Sequence, residues 1–154
     1  MTPTELVKTL AAEIRQAVEN IQLPTEYATT PAQFVSVNVF EQYLPQDLFE
    51  TTSYYPLVIV ELVEVRDEIN KESIATIGLT LGVYAKEADG WQDAFHLMQV
   101  IRQHLLTRRV IGKKFRLIDE ATWSVPDAQP TPFYVVVGEL KYLLQLPAQE
   151  IRPV

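Results

Sequence analysis

A chain of 154 residues, 47% hydrophobic and 21% charged, has the length and composition of one globular domain with a real core. Its net charge of −7 argues against nonspecific wrapping of nucleic acid, which needs a positive field. The absence of cysteine excludes a disulfide framework, a thiolate nucleophile and a Cys-based metal site, and leaves the cytoplasm as the default compartment.

Residues 2–23 read as a helix. Thr2 can cap it, Pro3 suits the first helical position, and Glu5 stands where a capping box needs a carboxylate. Leu6, Leu10, Ile14, Ala17 and Ile21 recur every three to four residues as one apolar stripe, widened by Val7, Ala11 and Val18, and Pro24 is expected to stop the helix. After a polar loop, residues 34–40 (FVSVNVF) read as a strand, with Val35, Val37 and Val39 on one side. The connection 41–56 is long and carries Tyr43, Phe49, Tyr54 and Tyr55. Loops of that length are often functional, or else their aromatics cover the edge of the core.

Residues 57–65 (LVIVELVEV) form the strongest strand and, being apolar on both faces at the start, a central one. A charged turn at 66–73 leads into a second long strand at 74–85. One face of that strand carries Ala75, Ile77, Leu79, Leu81, Val83 and Ala85; the other carries small residues, Gly78 and Gly82 among them. Glycine weakens a strand interior, so close approach of another backbone is expected there, either the N-terminal helix or a neighbouring subunit.

Residues 89–108 read as a second helix, with Asp89 as N-cap and Gln92 completing a capping box. Trp91, Ala94, Phe95, Met98, Ile101 and Leu105 are its expected core stripe, broadened by Leu97 and Val100. A short strand at 115–118 follows, then a connection stiffened by Pro126, Pro130 and Pro132. A final strand at 133–146 carries Gly138 at a candidate bulge and ends at Pro147. The result is one α+β domain over 1–154: an N-terminal helix at 2–23, and a core at 33–146 with four or five mostly antiparallel strands and a second long helix packed on the sheet.

Catalytic signatures are absent from the pattern, and no cofactor or metal is implied. His96 and His104 are two helical turns apart, too far for an i, i+4 metal pair. No serine stands in a GxSxG context, and no glycine-rich loop could cradle a phosphate. Adjacent Asp119 and Glu120, and Glu61 with Glu64, point mostly to different faces of a strand. If the chain were instead a small enzyme or ligand-binding domain, His96, Asp119 and Glu120 would be its candidate groups.

Charge is segregated along the chain. Arg108, Arg109, Lys113, Lys114 and Arg116 form a basic segment, while Glu61, Glu64, Asp67, Glu68 and Glu72 gather around the hairpin turn, diluted by Arg66 and Lys71. Both are either solvated surface or the two halves of one contact. In the second case Arg108, Arg109, Lys113 and Lys114 of one subunit meet Asp67 and Glu68 of the next, a heterologous contact that closes into a ring when the rotation permits.

YPLVIVEL, then ATIGLTLGVYAKEADGWQDAFHLMQVIRQHLL, then QPTPFYVVVGELKYLL resemble the small tail-terminator, or tail-completion, proteins of long-tailed bacteriophages and prophages. The resemblance is one of element order and texture over residues 55–146. It implies helices on an antiparallel sheet and a non-catalytic virion protein, assembled in the bacterial host cytoplasm. A homo-oligomeric ring, a hexamer, would cap the tail tube, end its polymerisation and face the head–tail connector. The partners implied are other copies of the chain, the tail-tube protein and the connector, with no specific nucleic-acid binding and no membrane. A negative ring lets DNA slide through without sticking. Phe49, Tyr54 and Tyr55 are the expected tube contacts. A neck or head-completion role would share the composition and differ in the partner bound.

Overall fold

The computed structural model describes residues 2–25, 34–44, 54–86, 88–130 and 132–145. Helix α1 (Pro3–Val18) opens with the expected capping box: the Thr2 side chain accepts from Glu5 N at 3.1 Å, and the Glu5 carboxylate accepts from Thr2 N at 3.3 Å. It ends well before Pro24. Ile21 N donates to Val18 O at 3.0 Å, and the chain turns into a short strand β1 (Gln22–Pro24), which pairs antiparallel with β2 (Phe34–Ser36). The expected single strand over 34–40 is therefore divided at Val37, because its two halves serve different sheets.

The second half, β3 (Asn38–Glu41), is the edge of a six-stranded sheet with β4 (Leu57–Asp67), β5 (Ser73–Tyr84), β6 (Val110–Ile111), β7 (Phe115–Ser124) and β8 (Phe133–Leu144), in the order β3-β4-β5-β8-β7-β6. The α+β class is as expected, with two helices among the described residues and a larger sheet than four or five strands. The sheet is mixed, because β3 runs parallel to β4 while the other pairs are antiparallel. Strand β7 extends beyond the expected 115–118 and is irregular between Ile118 and Thr122, where Asp119 takes a left-handed φ of 56°. That irregularity takes the acidic pair out of the ladder. Gly138, expected at a bulge, is instead paired in register with both Leu79 and Trp123.

Both helices cover one face of the sheet. The inward rows Val58–Leu81–Val136 and Leu62–Ile77–Leu140 meet Leu6, Leu10 and Ile14 of α1 and the buried side of helix α2 (Trp91–Thr107). The opposite face of β5 holds the glycines, and among the described residues their nearest neighbours are side chains rather than a helix. A Cβ on Gly82 would stand 2.5 Å from the Tyr55 ring, and one on Gly78 would stand 3.1 Å from Val63 Cγ2. The small residues make room for side chains of β4 and of Tyr55 just before it.

Helix α2 starts at Trp91 with Gly90 as N-cap and no side-chain capping bond, so the expected Asp89 cap is not made. Gly90 lies against Ala85 and the Tyr134 ring, where no larger residue fits, and this tight turn sets the start of the helix. The buried stripe is Ala94, Leu97, Ile101 and Leu105. Trp91 and Phe95, expected inside, are 47% and 37% exposed and stack edge to face with ring centroids 5.2 Å apart. The stripe is displaced because α2 carries apolar residues on several sides, and the sheet selects the side that fits.

That phase predicts a sharp contrast in unfolding by denaturant. Leu97→Ala should cost about 2–5 kcal/mol as a core truncation. Phe95→Ala, at a position largely outside the core, should cost under about 1 kcal/mol. Equal losses would contradict the observed stripe.

Candidate functional site

The register of the sheet places the charged segments. Arg66, Ile74, Leu143, Arg116 and Val110 are successive partners across five strands, so they form one row. Beyond that row, at the same end of the sheet, two turns project. One joins β4 to β5, and residues 64–72 carry four carboxylates against two cations. The other joins β6 to β7 inside the segment 108–116, which carries five cations and no carboxylate. Four inter-strand spacings separate β4 from β6, about 19 Å. Turns of opposite charge thus stand on opposite flanks of one end of the sheet.

Several of these charges are already engaged within the chain. Arg108 pairs with Glu13 at 3.2 Å, and Lys114 with Glu5 at 3.1 Å. The Lys114 hydrogen bond is the main reason the Glu5 carboxyl titrates below its ordinary range. Asp67 accepts from the Ser73 hydroxyl, and Glu68 is 4.0 Å from Lys71. Arg109 Nε donates to Leu106 O at 3.1 Å. Arg109, Lys113 and Arg116 are exposed and have no carboxylate partner among the described residues. Lys113 adopts a left-handed φ of 62° at the tip of its turn.

Of the three expected tube-contact aromatics, Phe49 lies outside the described residues. Tyr54 is 8% exposed and meets the Phe40 ring edge-on at 5.7 Å, while Tyr55 packs against Phe133 with centroids 4.4 Å apart. The structure places both tyrosines within the molecule's own aromatic cluster. His96 is exposed on α2, and Asp119 and Glu120 are exposed on β7. A shallow groove of about 300 Å³ runs between Pro3, Val7, Lys8, Glu41, Gln42 and Leu62. A second cleft of about 200 Å³ lies over Gly78. His96, Asp119 and Glu120 line neither of them. Among the described residues no three His, Asp or Glu side chains gather as metal ligands would, and no helix is long and apolar enough to cross a membrane.

One polar cluster is buried and was not visible in the sequence. Glu13 of α1, its side chain 11% exposed, receives His104 Nε2 at 2.7 Å and the Arg108 guanidinium at 3.2 Å, both from α2. Tyr142 of β8 is fully buried and its hydroxyl has no hydrogen-bond partner among the described residues. Burial, with the charge of Glu13 second, pushes the Tyr142 phenol well above its ordinary range. Neither of these two clefts is lined by a residue of the cluster. The cluster fastens α1 to the C-terminal end of α2. The signal that could have found it is Glu13 on the flank of the α1 stripe, but its partner His104 lies 91 residues away.

Glu13→Ala would leave His104 and Arg108 facing an unfilled polar site and should destabilise the fold by about 3 kcal/mol. Tyr142→Phe removes an unpartnered hydroxyl and should cost less than about 0.5 kcal/mol at neutral pH. Because the folded phenol titrates above the unfolded one, its contribution is fully present below about pH 10 and is lost as pH rises further. The wild type should therefore lose stability above about pH 10 faster than Tyr142→Phe in unfolding titrations; parallel curves would refute this. No family model matches the chain, and no curated protein matches it.

Proposed function

We infer that the chain is a structural part of a phage or prophage tail: it assembles side by side into a ring that caps the tail tube, ends tube polymerisation and faces the head–tail connector. The observation that carries this reading is the pair of oppositely charged turns on the two flanks of one end of the sheet. A copy displaced sideways along the sheet brings its acidic β4–β5 turn against the basic β6–β7 turn of its neighbour. Such a contact is heterologous and closes into a ring when each step adds a rotation. Arg109 and Lys113 are the cations left to make it, with Asp67 and Glu68 opposite. Arg108 and Lys114, committed to Glu13 and Glu5, position the basic segment.

Several features of the molecule support the tail assignment within this reading. The order of elements is compatible with the resemblance noted in the sequence. The net charge of −7 suits a channel that phosphate must traverse without binding. The six-membered ring and the virion location belong to the same proposal.

Purified chain should give rings in negative-stain electron microscopy, alone or on tube ends. Arg109→Glu with Lys113→Glu should abolish them, and adding Asp67→Lys with Glu68→Lys should restore them. Ring formation unaffected by the first pair would refute the contact. The flanking genes should encode a tube protein and a connector; flanking metabolic genes would remove the tail reading.

A further inference from the structure

Six strands make the main sheet, yet its rows are five strands wide. Near one end the row is Arg66–Ile74–Leu143–Arg116–Val110, from β4 to β6. Towards the other end it is Glu41–Val60–Leu79–Gly138–Trp123, from β3 to β7. Strand β3 covers β4 only as far as Val60, and β6 covers β7 only at Phe115 and Arg116. Each edge is therefore stepped by one strand, and the two steps are complementary. The backbone on the steps is turned outward, because alternate residues of a strand direct their N–H and C=O to opposite sides. Glu68 N donates to Glu72 O across the β4–β5 turn, so Arg66 also faces β5, while Val65 and Asp67 face outward beyond the end of β3. Leu117 N donates to Arg109 O, so Arg109 faces β7 and Val110 faces outward. Val65, Asp67 and Val110 are exposed, and their main-chain groups have no partner among the described residues. Direction matches as well. Strand β3 runs parallel to β4, and so does β6, because four antiparallel pairings through β5, β8 and β7 separate it from β4.

We propose that copies of the chain join by strand addition: β6 of one copy occupies the free edge of β4 in the next, in line behind β3 and in the same direction. Continuing the row places Val110 opposite Arg66 of the next copy. That register supplies the hydrogen bonds of a parallel ladder, with Val110 N donating to Val65 O and Asp67 N donating to Val110 O. The displacement is five strand spacings, about 24 Å. It also brings the uncovered part of β7 beside β3 of the next copy, antiparallel, with Trp123 opposite Glu41. Arg109 then stands beside Val65 of the next copy and diagonal to Asp67 on the same face, within reach of its carboxylate. The joint is heterologous, so it repeats from copy to copy. It rests on the side-by-side assembly inferred above and adds that main-chain bonds fix the register, where charge alone would only attract.

The chain has no cysteine, so introduced thiols report the register directly. Within one chain Arg66 and Val110 are four strand spacings apart, about 19 Å along the sheet, too far to bridge. Across the joint their Cα atoms stand about 5 Å apart. Arg66→Cys mixed with Val110→Cys under mild oxidation should give a dimer joined between positions 66 and 110, identified by mass spectrometry of the linked peptides. The doubly substituted chain should give a ladder of covalent multimers. Val110→Pro removes the donor at an outward-facing edge position, where proline is tolerated, and leaves every charge in place. It should stay folded by circular dichroism and associate at least tenfold more weakly in sedimentation equilibrium, whereas Val110→Thr should associate as the wild type does. Association without a link between 66 and 110 would overturn strand addition, and so would a folded Val110→Pro that associates normally. If Arg109→Glu with Lys113→Glu still abolishes rings in that case, the ring reading stands without it. A wild type that stays monomeric to millimolar concentration, with no link in the mixed variants, would also overturn strand addition, because the joint needs no template.

Discussion

Both helices lie on one face of the sheet, and most of the structure depends on that. The inward rows of β4, β5 and β8 are mostly aliphatic and buried, so α1 and α2 have to lie side by side to cover them. Two helices pressed together over a sheet bring their flanks inside as well as their apolar stripes. Glu13 sits on such a flank. It is tolerated there because α2 supplies both His104 and Arg108, whose donors satisfy a carboxylate that would otherwise be costly to bury. The same crowding closes over the Tyr142 hydroxyl without a partner. The interior is therefore held by area and shape, with a single ionic fastening where the two helices meet.

A sheet covered on one side must manage its other side and its edges. The β4 edge is managed in two steps. Strand β3 pairs with its first part, and then Gln42 takes over: its side-chain amide accepts from Leu62 N at 2.8 Å and donates to Leu62 O at 3.2 Å. One amide side chain substitutes for the next ladder step, and its residue adopts a left-handed φ of 70° to do so. Past Leu62 the strand is irregular, and its exposed positions alternate carboxylate and arginine with valine. Charged edges of this kind discourage indiscriminate strand addition.

The parts of the fold legible in the sequence are those governed by local periodicity. The Thr2–Glu5 box, the α1 stripe as far as Val18, and the β4–β5 hairpin with its charged turn depend on residues close in the chain, and each stands as expected, while Ile21 falls beyond the end of the helix. The parts that were not legible depend on distant partners. The division at Val37 follows from β3 finding β4 in parallel, a pairing that leaves no mark on seven residues of alternating valine. The phase of α2 was misread because Trp91, Phe95 and Met98 make as good a stripe as Leu97, Ile101 and Leu105. Only the sheet decides between them. The acidic pair at Asp119 and Glu120 looked like the end of a strand and turned out to be an irregularity within a longer one. A β-strand tolerates such residues when they leave the ladder.

The charged segments show the same division at the level of function. Their existence is a property of sequence, but their effective charge is a property of the fold. Five cations between 108 and 116 read as one block, yet two are paired with carboxylates of α1 that lie about a hundred residues earlier. Pairing fixes the basic turn to the helix layer and leaves the remaining cations outside on a rigid base. A long side chain held by its backbone and surroundings has less conformational freedom to lose on association than one on a mobile loop. The acidic turn is organised in the same way, through Asp67 with Ser73 and Glu68 with Lys71. Charges half-satisfied within the chain attract less at long range and lose less entropy on contact. Such charges lend a surface specificity more than general stickiness.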